Sequence, residues 1–152
     1  PRNHGENRGQ GHQGRQQHGG GHGPAAYETI KAHLEDLGRK PSDYDLILTG
    51  DLGSLGKEIL LDLFHRDGVE LPNLEDCGVL IYDAEKQDVH CADRAAAALR
   101  GALRLILNGM NQGRWKKLLF CGTGALLSPT STQQGESIPG ICHAVALEGG
   151  KT

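Results

Sequence analysis

The stretch Asp45-Leu-Ile-Leu-Thr-Gly-Asp-Leu-Gly-Ser-Leu-Gly56 passes from a short apolar run, through a glycine turn, into a helical pattern. An apolar run this short, bounded by turn residues, reads as a buried strand, Asp45 to Thr49, and Gly50-Asp-Leu-Gly53 reads as the turn that ends it. Leu52, Leu55, Ile59 and Leu63, with Leu60 and Phe64 alongside, then recur at helical spacing until Gly68 and Pro72 stop them. Strand, glycine turn and helix together form one unit of a layered α/β domain.

The flanking sequence repeats that alternation. Upstream, Ala26, Tyr27, Ile30, Leu34 and Leu37 share one helix face, with Gly38 and then Pro41 as stop signals. Downstream, Cys77 to Tyr82 reads as a second strand capped by Asp83. Asp93 reads as the N-cap of a helix reaching Asn108, with Leu99, Ala102, Leu103 and Ile106 inward. Lys117 to Cys121 is a third strand and Ile141 to Leu147 a fourth, joined by a polar loop from Gly122 to Pro139. A loop of that length inside a compact domain is a place to look for function. The expected fold is α/β, with a mostly parallel mixed sheet.

Composition separates this body from what precedes it. The 152 residues include 23 Gly, eight of them in residues 1–24, which contain no Ala, Val, Ile, Leu, Met, Phe, Trp, Tyr or Cys. With nothing apolar to bury, this Gly/His/Gln/Arg-rich segment is expected to be a disordered tail. His4, His12, His18 and His22 are too irregularly spaced to read as a metal site. The tail's composition also fits a stretch translated out of frame, a reading that the coding DNA would test. The tail carries +2 of a formal total of −3, leaving −5 on residues 25–152. An acidic body of that kind argues against a nucleic-acid surface. The sequence has neither the apolar run of a transmembrane helix nor the pattern of a signal peptide.

The glycine turn invites comparison with nucleotide-binding folds, where glycines let a pyrophosphate approach a helix N-terminus. Against that reading, the spacing is G-x-x-G-x-x-G, and Asp51 puts a carboxylate where phosphate should sit. Gly56-Lys57 is followed by Glu58, which also excludes a P-loop. A tight strand-to-helix turn explains the same glycines.

No catalytic set emerges from spacing. Cys77, Cys91, Cys121 and Cys142 form no C-x-x-C pair and read as reduced, buried residues. His33 and His65 read as solvated helix positions. His90-Cys91 and Cys142-His143 are adjacent pairs that would point to opposite faces of a strand. The Ser128-Pro-Thr-Ser-Thr132 cluster offers hydroxyls in the long loop, and Asp83, Glu85 and Asp88 form an acidic turn.

Several runs nevertheless resemble one family closely. Tyr44 to Gly53, Cys121-Gly-Thr-Gly-Ala-Leu-Leu-Ser-Pro129, Gln133-Gln134, Glu136, Ile138-Pro139 and His143-Ala-Val-Ala-Leu-Glu148 follow, in order, the C-terminal half of the stage V sporulation protein AD family. The likeness covers about residues 25–90 and 114–148. It implies a thiolase-like layered half-domain over residues 25–152 that reaches the family's C-terminus and lacks its N-terminal half. It also implies a non-catalytic role in binding dipicolinic acid, or its calcium complex, for uptake into the spore and release at germination. Implied partners are membrane proteins of the same operon, together with the absent half or a second copy. The implied location is the cytoplasmic side of the spore inner membrane, peripherally attached.

No cofactor is implied. The candidate ligand residues are Gly50, Asp51, Gly53, Ser128 and His143. The alternatives are a thiolase-like acyltransferase of the ketoacyl synthase type and a nucleotide-binding α/β domain. Condensing enzymes of the superfamily commonly place a His after the first strand, where Gly50-Asp51 stands here. Two departures from the family stand out: an atypical segment at about residues 90–111, consistent with a local frame slip, and Ala146 where the family's last strand carries Ser.

Overall fold

A computed structural model describes residues 10–81, 95–125 and 140–149. Its elements are α1 (Gln10–Asp36), a 3-10 turn (Pro41–Asp43), β1 (Leu46–Thr49), α2 (Gly53–Arg66), β2 (Leu74–Asp76), α3 (Cys77–Ile81), α4 (Ala95–Asn111), β3 (Lys117–Ala125) and β4 (Gly140–Glu148). The four strands form one sheet in the order β2-β1-β3-β4. β1 runs parallel to β2 and β3, pairing Ile47 with both Leu74 and Leu119, whereas β3 and β4 are antiparallel. The fold is therefore α/β with a mostly parallel sheet.

Strand alternation divides the core between the two faces of the sheet. Ile47, Leu119 and Cys121 point to the side where Ala26, Ile30 and Leu34 of α1 meet Leu60 and Phe64 of α2. Leu46, Leu48 and Leu118 point to the other side, against Cys77 and Ile106. Burying side chains such as Ile47 and Leu48 completely stabilises the sheet by about 1.5–3 kcal/mol each. Tyr27 of α1 also meets Phe64 edge-on, with ring centroids 5.0 Å apart.

The strands at Asp45–Thr49, Lys117–Cys121 and Ile141–Leu147 are where the sequence places them, with β3 extended to Ala125. The helix stops at Gly38 and Gly68 also hold, both with positive φ. Four expectations are corrected. The run Cys77 to Ile81 is a helix, and the strand beside β1 is Leu74–Asp76. The Asp76 carboxylate accepts the N–H groups of Gly78 (3.1 Å) and Val79 (3.2 Å), capping a helix where apolar content alone suggests a strand.

The buried stripe of α2 is Gly53, Gly56, Leu60 and Phe64, while Leu55 is exposed. The helix is rotated because α1 approaches it closely: a Cβ on Gly23 would lie 3.1 Å from Gly56 O and Ile59 Cγ2. That contact bears on the third correction. Disorder is expected through residue 24, but α1 runs back through Pro24 to Gln10, with His22 and Gly23 buried. Lastly, His33 is not simply solvated, since its Nε2 lies 2.5 Å from the hydroxyl of buried Tyr44.

Candidate functional site

The chain order β1-α2-β2 moves to one side of β1, and β3 lies on its other side. The carboxyl ends of β1 and β3 thus flank the point where the winding of the sheet reverses. Open α/β sheets characteristically hold ligands at that position. Gly50 ends β1 there, and its N–H donates to Cys121 O at 2.9 Å. A Cβ on Gly50 would lie 3.6 Å from the Gly122 Cα, so the two glycines sit side by side. Gly122 in turn pairs directly with His143 across β3 and β4. Gly50, Gly122 and His143 therefore form a row across three adjacent strand positions, spanning about 10 Å. Two of its three positions have no side chain, and His143 is exposed at the end.

Behind this row lies a buried carboxylate. Asp76 is fully buried and accepts five hydrogen bonds: from Thr49 Oγ1 (2.7 Å), from the N–H groups of Leu52 (2.8 Å) and Gly53 (3.2 Å), and from those of Gly78 and Val79. The first turns of α2 and α3 thus converge on one anion supplied by the chain itself. Charge-assisted bonds of this kind offset the desolvation of the carboxylate. They also occupy the amides that a phosphate would use, which accounts for a glycine turn that imitates a nucleotide site. Gly53 adopts φ 67°, a left-handed conformation suited to glycine, at the point where its N–H reaches Asp76. Asp51 is buried beside this cluster, and a Cβ on Gly78 would collide with its Oδ1.

Of the five residues singled out in the sequence, Gly50 and His143 are brought together across Gly122, and Asp51 and Gly53 lie behind them. Ser128, the Ser128–Thr132 cluster, Asp83, Glu85, Asp88, His90 and Cys91 lie outside the described residues. Sequence reasoning missed Asp76, Gly78 and Gly122. An Asp immediately before an apolar run was the available signal for the cap at Asp76. For Gly78 and Gly122 the sequence carried no signal beyond the identity of the residue.

Among the described residues no cluster of three or more His, Cys, Asp or Glu could hold a metal ion. The thiols of Cys121 and Cys142 lie on the face of the sheet opposite the His143 imidazole, although Cys142 Sγ donates to the His143 carbonyl at 4.0 Å. Cys121 and Cys142 pack on the α1/α2 face, whereas β4 turns His143 to the opposite face. Cys77 is buried beneath α4, and burial pushes its thiol up to about 12. No helix among the described residues is long and apolar enough to cross a membrane.

Known proteins supply the class. A family model for stage V sporulation protein AD (SpoVAD) matches residues 4–148, nearly the whole chain. The chain belongs to that family of sporulation proteins. It is 41% identical over 126 residues to stage V sporulation protein AD of Bacillus subtilis (strain 168), a match covering 82% of this chain and 37% of that relative. The chain thus spans little more than a third of the length of the curated relative it matches. The family match includes both the glycine-rich N-terminal segment and residues 90–111.

Proposed function

We propose that this chain forms part of a non-catalytic sporulation protein that binds dipicolinate as its calcium complex at the Gly50–Gly122–His143 row. Family membership supports the sporulation role. The observation that carries the ligand reading is the row itself, a strip of backbone without side chains that ends in an imidazole, at the switch point of the sheet. A flat pyridine dicarboxylate can lie against glycine backbone, where a Cβ would hold it off, with the imidazole N–H donating to a carboxylate. Asp51 and Asp76 put carboxylates behind the row, so a charge-neutral calcium complex suits the site better than a bare dianion.

The same reading makes the protein peripheral to the spore inner membrane, on its cytoplasmic side. There it hands the ligand to membrane proteins of its operon, moving it inward during spore formation and outward at germination. The portion of the family that this chain does not span, or a second copy, completes the body. Asp76 at the start of α2 weighs against nucleotide binding.

Isothermal titration of this chain and of a full-length relative with calcium dipicolinate, dipicolinate, an acyl-CoA and NAD tests the reading. Saturable heat is expected with the calcium complex, weakened about tenfold by His143→Ala, the loss of one hydrogen bond to a charged group. No binding to either protein would overturn the ligand assignment. Turnover of an acyl thioester would overturn the non-catalytic one.

A further inference from the structure

The Gly50–Gly122–His143 row lies on the face of the sheet that also carries Phe120. Along β3, Phe120, Gly122 and Gly124 alternate onto that face, where they pair with Val145, His143 and Ile141 of β4. Phe120 is half-buried against the cluster beneath α4, and its ring leans along the strand. A Cβ on Gly122 would lie 3.5 Å from Phe120 Cε1 and 4.0 Å from its Cζ. On the other side Ile141 borders Gly124, where a Cβ would lie 3.9 Å from Ile141 Cγ1. The layer of side chains is thus interrupted over Gly50 and Gly122, between an aromatic ring, an aliphatic chain and the His143 imidazole. Phe120 and Gly124 stand about 13 Å apart along the strand, and side chains fill both margins of that span. What is left is the footprint of one six-membered ring with its substituents.

Resting on the ligand position proposed at that row, we infer that Phe120 makes the site selective for flat aromatic rings over puckered rings of the same charge. A planar ring can lie on the Gly122 backbone while it meets the Phe120 ring edge-to-face or offset, contacts that aromatic pairs favour beyond the area they bury. A saturated ring bearing the same two carboxylates carries hydrogens above and below its mean plane. Those hydrogens hold it off the glycine floor, and such a ring offers Phe120 no π-face. The carboxylates meet the same donors in both cases, so His143 orients the ligand and Phe120 selects the ring. Gly122 leaves the floor open for it. An alanine methyl there would stand where the ligand ring must lie. At 3.5 Å from Phe120 that methyl is still in ordinary contact, so the fold accepts it while the gap closes.

Competition calorimetry on the whole chain tests this, with benzene-1,3-dicarboxylate and cis-cyclohexane-1,3-dicarboxylate displacing calcium dipicolinate. The two competitors share charge and a 1,3 arrangement of carboxylates and differ in the flatness of the ring. The aromatic one is expected to bind about fivefold more tightly. Phe120→Leu is expected to cut that preference to about twofold or less, by weakening the aromatic competitor. Gly122→Ala is expected to keep the native melting temperature and to lose calcium dipicolinate binding by about tenfold or more. Equal competition by the two compounds, or none, would overturn the selectivity. So would a Phe120→Leu variant that weakens both alike, the mark of a merely structural role. A native chain that does not bind calcium dipicolinate, or a Gly122→Ala variant that binds it fully, would overturn the site assignment and the selectivity with it.

Discussion

The Asp76 carboxylate accepts the backbone N–H of Leu52 at 2.8 Å, so the last residue of β2 supplies the anion at the start of the helix that follows β1. The same carboxylate caps α3, and Thr49 Oγ1 closes the arrangement from within β1. One side chain therefore fixes where two helices begin and seals the end of the sheet behind the Gly50–Gly122–His143 row.

Removing that anion leaves buried donors without an acceptor. Asp76→Ala is expected to destabilise the chain by about 3–5 kcal/mol, and Asp76→Asn by about 2, because the amide keeps one acceptor but adds a donor. Thr49→Val, which deletes one neutral donor, is expected to cost about 1 kcal/mol. Urea titration of the three variants checks the order. Equal losses for Asp76→Ala and Thr49→Val would show that the carboxylate does not organise the two helix starts.

The contact between Gly78 and Asp51 predicts a coupling. Gly78→Ala alone is expected to lose about 1–3 kcal/mol, since its methyl must displace the buried Asp51 carboxylate. In the double variant with Asp51→Ala the collision is gone, so the combined loss should fall short of the sum of the single losses by at least 0.5 kcal/mol, the low end for residues in contact. A double-mutant cycle by denaturant unfolding reads the difference directly. Strict additivity would place the two residues apart.

These two relationships also show where the sequence was legible and where it was not. Leu46 to Thr49 is short, apolar and followed by glycine, and it forms the buried strand that such a run predicts. Cys77 to Ile81 has much the same texture, and periodicity over five residues cannot separate strand from helix. The decision came from the Asp76 side chain, a local hydrogen-bond choice that hydrophobic pattern does not encode. The buried face of α2 departs from its apolar periodicity for a different reason: Gly23 and Gly56 allow close approach of α1, and that contact depends on residues 33 positions apart. Gly50 and His143 could be named in advance, but their meeting across Gly122 required the register of β3 and β4.

His33 gives a pH dependence of known sign. Its imidazole lies 2.5 Å from the Tyr44 hydroxyl, which Arg39 Nη1 also contacts at 2.8 Å. Burial, then the charge of Arg39, lowers its pKa from the ordinary 6.5, partly opposed by Asp36. The unfolded chain therefore binds a proton that the folded chain resists. The stabilising contribution is present above about pH 6.5 and is lost as pH falls through that value toward the lowered one. Melting temperatures between pH 7.5 and 5 should drop more steeply for the native chain than for His33→Gln. Parallel curves would exclude His33 as the group responsible.

The sheet also presents apolar surface on one side of β4. Leu147 packs into the core beneath α4, but Ile141 and Val145, which alternate with it, are 51% and 52% exposed, and Leu105 and Leu107 of α4 are each 52% exposed. The opposite face of the same strand is covered by α1, to which Thr29 ties it. A strand packed on one face and bare on the other carries its exposed apolar residues at a cost in solubility that burial against another surface removes. The chain alone is therefore expected to self-associate in a concentration-dependent way in sedimentation velocity. Ile141→Glu combined with Val145→Glu should shift it toward monomer while changing stability by no more than about 1 kcal/mol, as for exposed positions generally. A native chain that sediments as one monomer across the concentration range, with a sharp cooperative melt, would show that this face needs no cover.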